Sequence, residues 1–123
     1  MSYTRRVKVG ETRELPDAVA TRVVRSVRLP EEIHPGRDDE VPFPEAEFHV
    51  VITRYLAWSE KGFASYGYVR GRRKLGPNAT WAEIEEEAYK LNRIGIRCFG
   101  DTNHRLFEGG GLFKDAFYTG FGS

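Results

Sequence analysis

The stretch TWAEIEEEAYKLNR, residues 80–93, predicts an amphipathic helix. Thr80 and Glu83 have the spacing of a capping box, in which each side chain accepts a hydrogen bond from the other residue's backbone amide. An apolar stripe at spacings of three and four residues runs along one side of this helix: Trp81, Ile84, Ala88 and Leu91. Gly95 predicts the end of the helix, and IRCF, residues 96–99, predicts a return to strand.

Two strands are predicted before the helix. FHVVITRYLAW, residues 48–58, alternates in polarity, and one strand face would carry Phe48, Val50, Ile52, Leu56 and Trp58. SEKG, residues 59–62, has the length of a hairpin connection, and a returning strand would begin at Phe63. We expect the helix to bury against that apolar face. The sequence therefore predicts one α+β domain over residues 1–123, an antiparallel sheet covered by one helix at about residues 80–93.

Three segments flank this unit. Residues 18–29 fit either a helical stripe of valines or a strand, and the β-branched run between two prolines favours the strand. Residues 30–46 hold four of the six prolines and many carboxylates, which predicts a long acidic loop. Residues 105–123 are rich in glycine and aromatic residues. We expect that segment to pack on its own domain, or alternatively on a partner protein or a second copy of the chain.

Composition limits the class of protein. The 123 residues are 40% hydrophobic and 30% charged, with a net charge of +1, which is a globular composition. The single cysteine, Cys98, excludes an internal disulfide framework and a zinc site built on paired cysteines. The sequence predicts neither a signal peptide nor a membrane-spanning segment, so a cytoplasmic location is expected.

The stretch ASYGYVRGRRKLG, residues 64–76, predicts a surface of aromatic rings and cations. As a strand it would place Tyr66, Tyr68, Arg70 and Arg72 on one face, away from the helix and beside Tyr55 and His49. Rings stack on bases and guanidinium groups meet phosphates, so such a face suits DNA or RNA. The alternative is that the tyrosines fill the core and the arginines are merely solvated. The predicted nucleic-acid site comprises Tyr55, Tyr66, Tyr68, Arg70, Arg72, Arg73 and Lys74.

Two resemblances bear on this hypothesis. GRRKLG and EIEEEAY, within residues 58–91, resemble the last strand and the helix of plant and phage DNA-binding domains of the AP2 type. VKVGETREL followed by RVVRSVRLP resembles the first hairpin of small phage-encoded proteins of unassigned role. The resemblances imply a phage or mobile-element protein, acting in the host cytoplasm, and a sheet that binds DNA.

Catalysis and metal binding are not expected. Cys98, Asp101 and His104 are of the residue types used in thiolate catalysis, but a cysteine on a strand is more often a packed hydrophobe. His34 stands near Asp38 and Asp39 without metal-ligand spacing, and the three glycines of residues 109–111 lack the rest of a phosphate-binding loop. No cofactor is predicted.

Two functions remain as hypotheses. The first is a small nucleic-acid-binding accessory protein that uses the aromatic and basic sheet face. The second is a protein-binding module, for instance a phage-encoded inhibitor of a host or defence protein, that uses the acidic loop or the aromatic C-terminal segment.

Overall fold

The structure is a computed structural model that describes residues 9–23, 32–44, 50–58 and 64–122. Six strands and one helix follow one another along the chain: β1 (Val9–Glu14), β2 (Ala18–Val23), β3 (Val50–Trp58), β4 (Ala64–Gly71), α1 (Trp81–Phe99), β5 (Leu106–Phe113) and β6 (Ala116–Gly122). The strand alternative for the described part of residues 18–29 is confirmed by β2.

All six strands form one sheet in the order β1-β2-β4-β3-β6-β5. The β1–β2, β2–β4, β3–β4 and β5–β6 pairs are antiparallel, whereas β6 runs parallel to β3. The helix packs against one face of this sheet. The predicted α+β class with one covering helix is confirmed, and the single parallel pair makes the sheet mixed.

The capping box at the start of α1 is present. The Glu83 amide donates to Thr80 Oγ1 at 3.3 Å, and the Thr80 amide donates to Glu83 Oε1 at 3.2 Å. At the other end, the prediction that Gly95 ends the helix is wrong, because α1 continues to Phe99 and ends at Gly100, whose φ is 109°. The apolar stripe explains the extension, since Gly95 is itself buried and Phe99 still packs on the core.

The predicted loop holds the start of the helix. Residues 32–44 form neither a helix nor a strand, apart from one isolated bridge. The Trp81 amide donates to the Glu40 carbonyl at 2.9 Å, and the Ala82 amide donates to the Asp38 carbonyl at 3.1 Å. Helix amides in the first turn have no partner within the helix, so these loop carbonyls satisfy two of them.

The core lies between α1 and the sheet, and its members come from β2, β3, β4, α1, β5 and β6: Ala18, Ala20, Val51, Val69, Trp81, Ile84, Leu91, Phe107, Phe117 and Phe121. Residues 106–122 therefore pack on the rest of the domain. β6 lies between β3 and β5, and Phe107, Phe117 and Phe121 are part of this core.

One prediction about β3 is wrong. Val50 and Ile52 were expected to face the helix, but they lie on the opposite face of the sheet in a separate apolar cluster. Thr53 lies on the helix side instead, where its hydroxyl donates to the Ala88 carbonyl at 3.4 Å and accepts from Thr119 Oγ1 at 3.2 Å. These two hydrogen bonds allow a polar residue to be fully buried beneath the helix.

Candidate nucleic-acid interface

The candidate site lies on the face of the sheet that points away from α1, which we call the second face. Val69 belongs to the core under the helix, and a Cβ added to Gly67 would lie 3.1 Å from a ring at the end of α1. Because neighbouring strand residues point to opposite faces, Tyr66, Tyr68 and Arg70 occupy the second face.

The strand register surrounds these positions with residues from two neighbouring strands. Thr21 of β2 and Arg54 of β3 are paired with Tyr68, and Val19 and Ile52 are paired with Arg70. The side chains of Tyr66 and Arg54 fall outside what the structure describes. At the level of the backbone, β3 and β4 therefore place an arginine position next to a tyrosine position, whereas β2 contributes a threonine and a valine.

Tyr68 is half-buried rather than freely exposed. Its ring packs against the apolar cluster of Val50, Ile52 and Ala116, and its hydroxyl oxygen is shielded from solvent. The tyrosine therefore stabilises the second face as well as belonging to its surface. The burial of Tyr68 agrees in part with the alternative in which the tyrosines are core residues rather than binding residues.

Arg70 is exposed, and no carboxylate of the described residues lies within ion-pair distance of its guanidinium group. Lys74, four residues further on, is exposed in the same way. Phosphate contacts require cations that are not already neutralised. Arg70 and Lys74 therefore meet this requirement within the described part of the chain.

Arg72 and Arg73 are placed differently, because each has an acidic partner. Arg72 donates from Nε to the Leu15 carbonyl at 3.1 Å and lies 3.8 Å from a Glu14 oxygen. Arg73 lies 3.9 Å from Oε1 of the buried Glu87. These arginines tie the end of β4 to the β1–β2 turn and to the helix, so their charges are partly compensated within the protein.

The register separates Tyr55 from the other predicted tyrosines. Tyr55 is paired with Gly67, and residues paired directly across a sheet share one face. Position 55 therefore belongs to the helix side by register, and the expectation that Tyr55 shares a face with Tyr68 is wrong. His49, predicted beside it, lies outside the described residues.

Sequence reasoning missed three residues of the second face. Tyr118 is paired with Ile52 and packs against the same apolar cluster, and its ring centroid is 6.3 Å from that of Phe113. Lys114 Nζ lies 5.5 Å from the centroid of the Phe113 ring. The local sequence carried no signal for them, because only the parallel pairing of β6 with β3 brings this C-terminal hairpin into the same sheet as β4.

The residues considered for catalysis make the following contacts in the structure. Asp101 is bonded to Arg105, and the pKa of its carboxyl is lowered mainly by the Thr102 amide and then by the Arg105 side chain. The His104 carbonyl accepts a hydrogen bond from Asn92, and Cys98 packs against the core. Within the described ranges, no three His, Cys, Asp or Glu side chains are grouped so that they could hold a metal ion.

Comparisons with protein-family models, curated proteins and solved structures found no match to this chain. In the part of the chain that the structure describes, α1 is too polar to cross a membrane, and no other helix is present there.

Proposed function

We propose that this chain is a small nucleic-acid-binding accessory protein that acts in the cytoplasm and binds DNA or RNA on the second face of its sheet. One observation supports the proposal: β4 places Tyr68 next to Arg70, which has no carboxylate partner among the described residues, on the face opposite the helix. Aromatic planes next to guanidinium groups suit stacked bases and their phosphates.

The layering of the fold supports this proposal. A sheet with its helix on one face can offer the other face to an extended ligand, and base stacking on such a surface tolerates varied sequence. Arg70 and Lys74 supply charge along and beyond β4, whereas Arg72 and Arg73 are engaged by Glu14 and Glu87. Binding should therefore depend on Arg70 and Lys74 more than on the other two cations.

The test is a titration of labelled single-stranded DNA and RNA of about 12 nucleotides at salt concentrations from about 50 to 200 mM. Arg70→Gln should lower the slope of log affinity against log salt by about 0.7, because one phosphate contact on a single strand is lost. Arg93→Gln is the matched control, since Arg93 is also exposed but lies on α1, on the other side of the sheet.

Two results would contradict the proposal. The first is wild-type protein that binds neither DNA nor RNA at the lowest salt. The second is an Arg93→Gln variant that loses as much of the salt slope as Arg70→Gln, because binding would then be unrelated to the second face.

A protein-binding module is the second candidate function, and the acidic loop favours it. Every described residue from 32 to 40 is exposed, including the carboxylates of Asp38, Asp39 and Glu40. A basic partner protein would fit this loop by charge. Failure to bind any oligonucleotide, together with a stable complex that Asp38→Asn and Glu40→Gln weaken, would favour this candidate over the first.

A further inference from the structure

The β5–β6 turn carries an aromatic ring and a cation at the edge of the second face. Phe113 is 52% exposed, which is unusual for a phenylalanine, although its ring makes an edge contact with Tyr118. Lys114 reaches over the Phe113 ring and has no ion pair among the described residues, although Asp115 follows it in sequence. Phe113 and Lys114 thus form a second pair of an aromatic ring and a cation without an ion pair among the described residues, at the end of β5 rather than on β4.

The two pairs lie on the same surface, one on the inner strand β4 and the other at the end of the edge strand β5. Arg70 is paired with Ile52, and Ile52 with Tyr118, so one row of side chains crosses β4, β3 and β6 toward β5. Neighbouring strands are about 4.8 Å apart, so the three spacings from β4 to β5 amount to about 14 Å. That distance is about four nucleotides at a stacked spacing of about 3.4 Å.

From this arrangement we infer that Phe113 and Lys114 are binding residues of the nucleic-acid site, and that a single strand crosses the sheet from β4 to the β5–β6 turn. Phe113 stacks on a base and Lys114 contacts a phosphate. The inference rests on the proposed function. A single strand is the occupant because its bases can turn toward the sheet, whereas those of a duplex are stacked inside.

The test compares ring removal on oligonucleotides of two lengths, about 3 and about 12 nucleotides of thymidylate. Phe113→Leu keeps apolar bulk but removes the stacking plane, and it should weaken binding of the long oligonucleotide at least about fivefold. Binding of the short one, which cannot span the site, should change much less. Leu106→Ala is the control, because Leu106 is 59% exposed on the same strand but at its opposite end, seven residues before Phe113.

Lys114→Asn tests the charge separately. Lys114 has a φ of 58°, a conformation that asparagine also adopts readily, so the turn should be kept. The salt slope for the long oligonucleotide should fall by about 0.7. Thermal denaturation of each variant establishes that it is folded before its binding is compared.

The outcomes separate the inference from the proposed function. If Arg70→Gln weakens binding but Phe113→Leu and Lys114→Asn behave like Leu106→Ala at both lengths, the inference is wrong and the proposed function stands. If wild-type protein binds no oligonucleotide, the proposed function fails and the inference fails with it. Losses in the Phe113 and Lys114 variants that Leu106→Ala does not show, together with the lowered salt slope of Arg70→Gln, support both.

Discussion

A buried carboxylate joins the end of β4 to the helix. Glu87 is 1% exposed, and its Oε1 lies 3.2 Å from Lys90 Nζ and 3.9 Å from an Arg73 nitrogen. Its other oxygen faces Gly71 and has no hydrogen-bond donor among the described residues. Because an unpaired buried charge is costly, the ion pairs with Lys90 and Arg73 offset the free-energy cost of burying Glu87. Arg73 is therefore held by the fold, whatever it contributes to binding.

Gly71→Ala tests this packing at the scale of one residue. The added Cβ would lie 2.9 Å from Glu87 Oε2 and 3.4 Å from a Leu91 methyl carbon, so we expect overpacking to lower the free energy of unfolding by about 1–3 kcal/mol. Urea denaturation measures the change. Gly76→Ala is the control, because nothing lies within 4 Å of its Cβ position. Equal stability of the two variants would show that Gly71 is not closely packed.

The start of α1 could be predicted from the sequence, whereas the face of β3 that lies beneath it could not. The capping box and the stripe of α1 are local signals, so its start was predictable. Val50, Val51 and Ile52 are all buried, so alternation in β3 could not identify the face beneath the helix. That choice depends on Thr53, whose hydrogen-bond partners Ala88 and Thr119 are far away in sequence.

The cap and stripe of α1 make separate contributions to stability. Ile84 is 0% exposed, so Ile84→Ala should lower the free energy of unfolding by about 2–5 kcal/mol through loss of burial and a cavity. Thr80→Ala should cost only about 1 kcal/mol, because one capping bond is lost. Chemical denaturation measures both, with the exposed Glu86→Ala as a control. An Ile84→Ala cost no larger than that of Glu86→Ala would mean that the helix does not cover the sheet.

At the scale of the whole molecule, the order of the strands determines what the second face contains. Placing β6 parallel to β3 puts Tyr118, Phe113 and Lys114 on the same side of the sheet as the β4 residues Tyr68 and Arg70. The stretch at residues 64–76 predicted only the β4 half of this surface. The other half depends on a pairing between strands about half the chain apart, which no local periodicity reports.

The isoleucine side chains test the central claim, because the five described ones are divided among the surfaces in question. Ile52 lies in the cluster of the second face, and Ile33 lies in the exposed loop. Ile84 and Ile94 lie under the helix, and Ile96 is a partly buried residue of α1. The measurement is the methyl NMR spectrum of isoleucine-labelled protein during addition of a single-stranded oligonucleotide. Stacked bases should shift the Ile52 δ1 methyl signal through their ring currents and leave Ile84 and Ile94 nearly unchanged. Shifts confined to Ile33, or to the two isoleucines under the helix, would contradict a nucleic-acid interface on the second face.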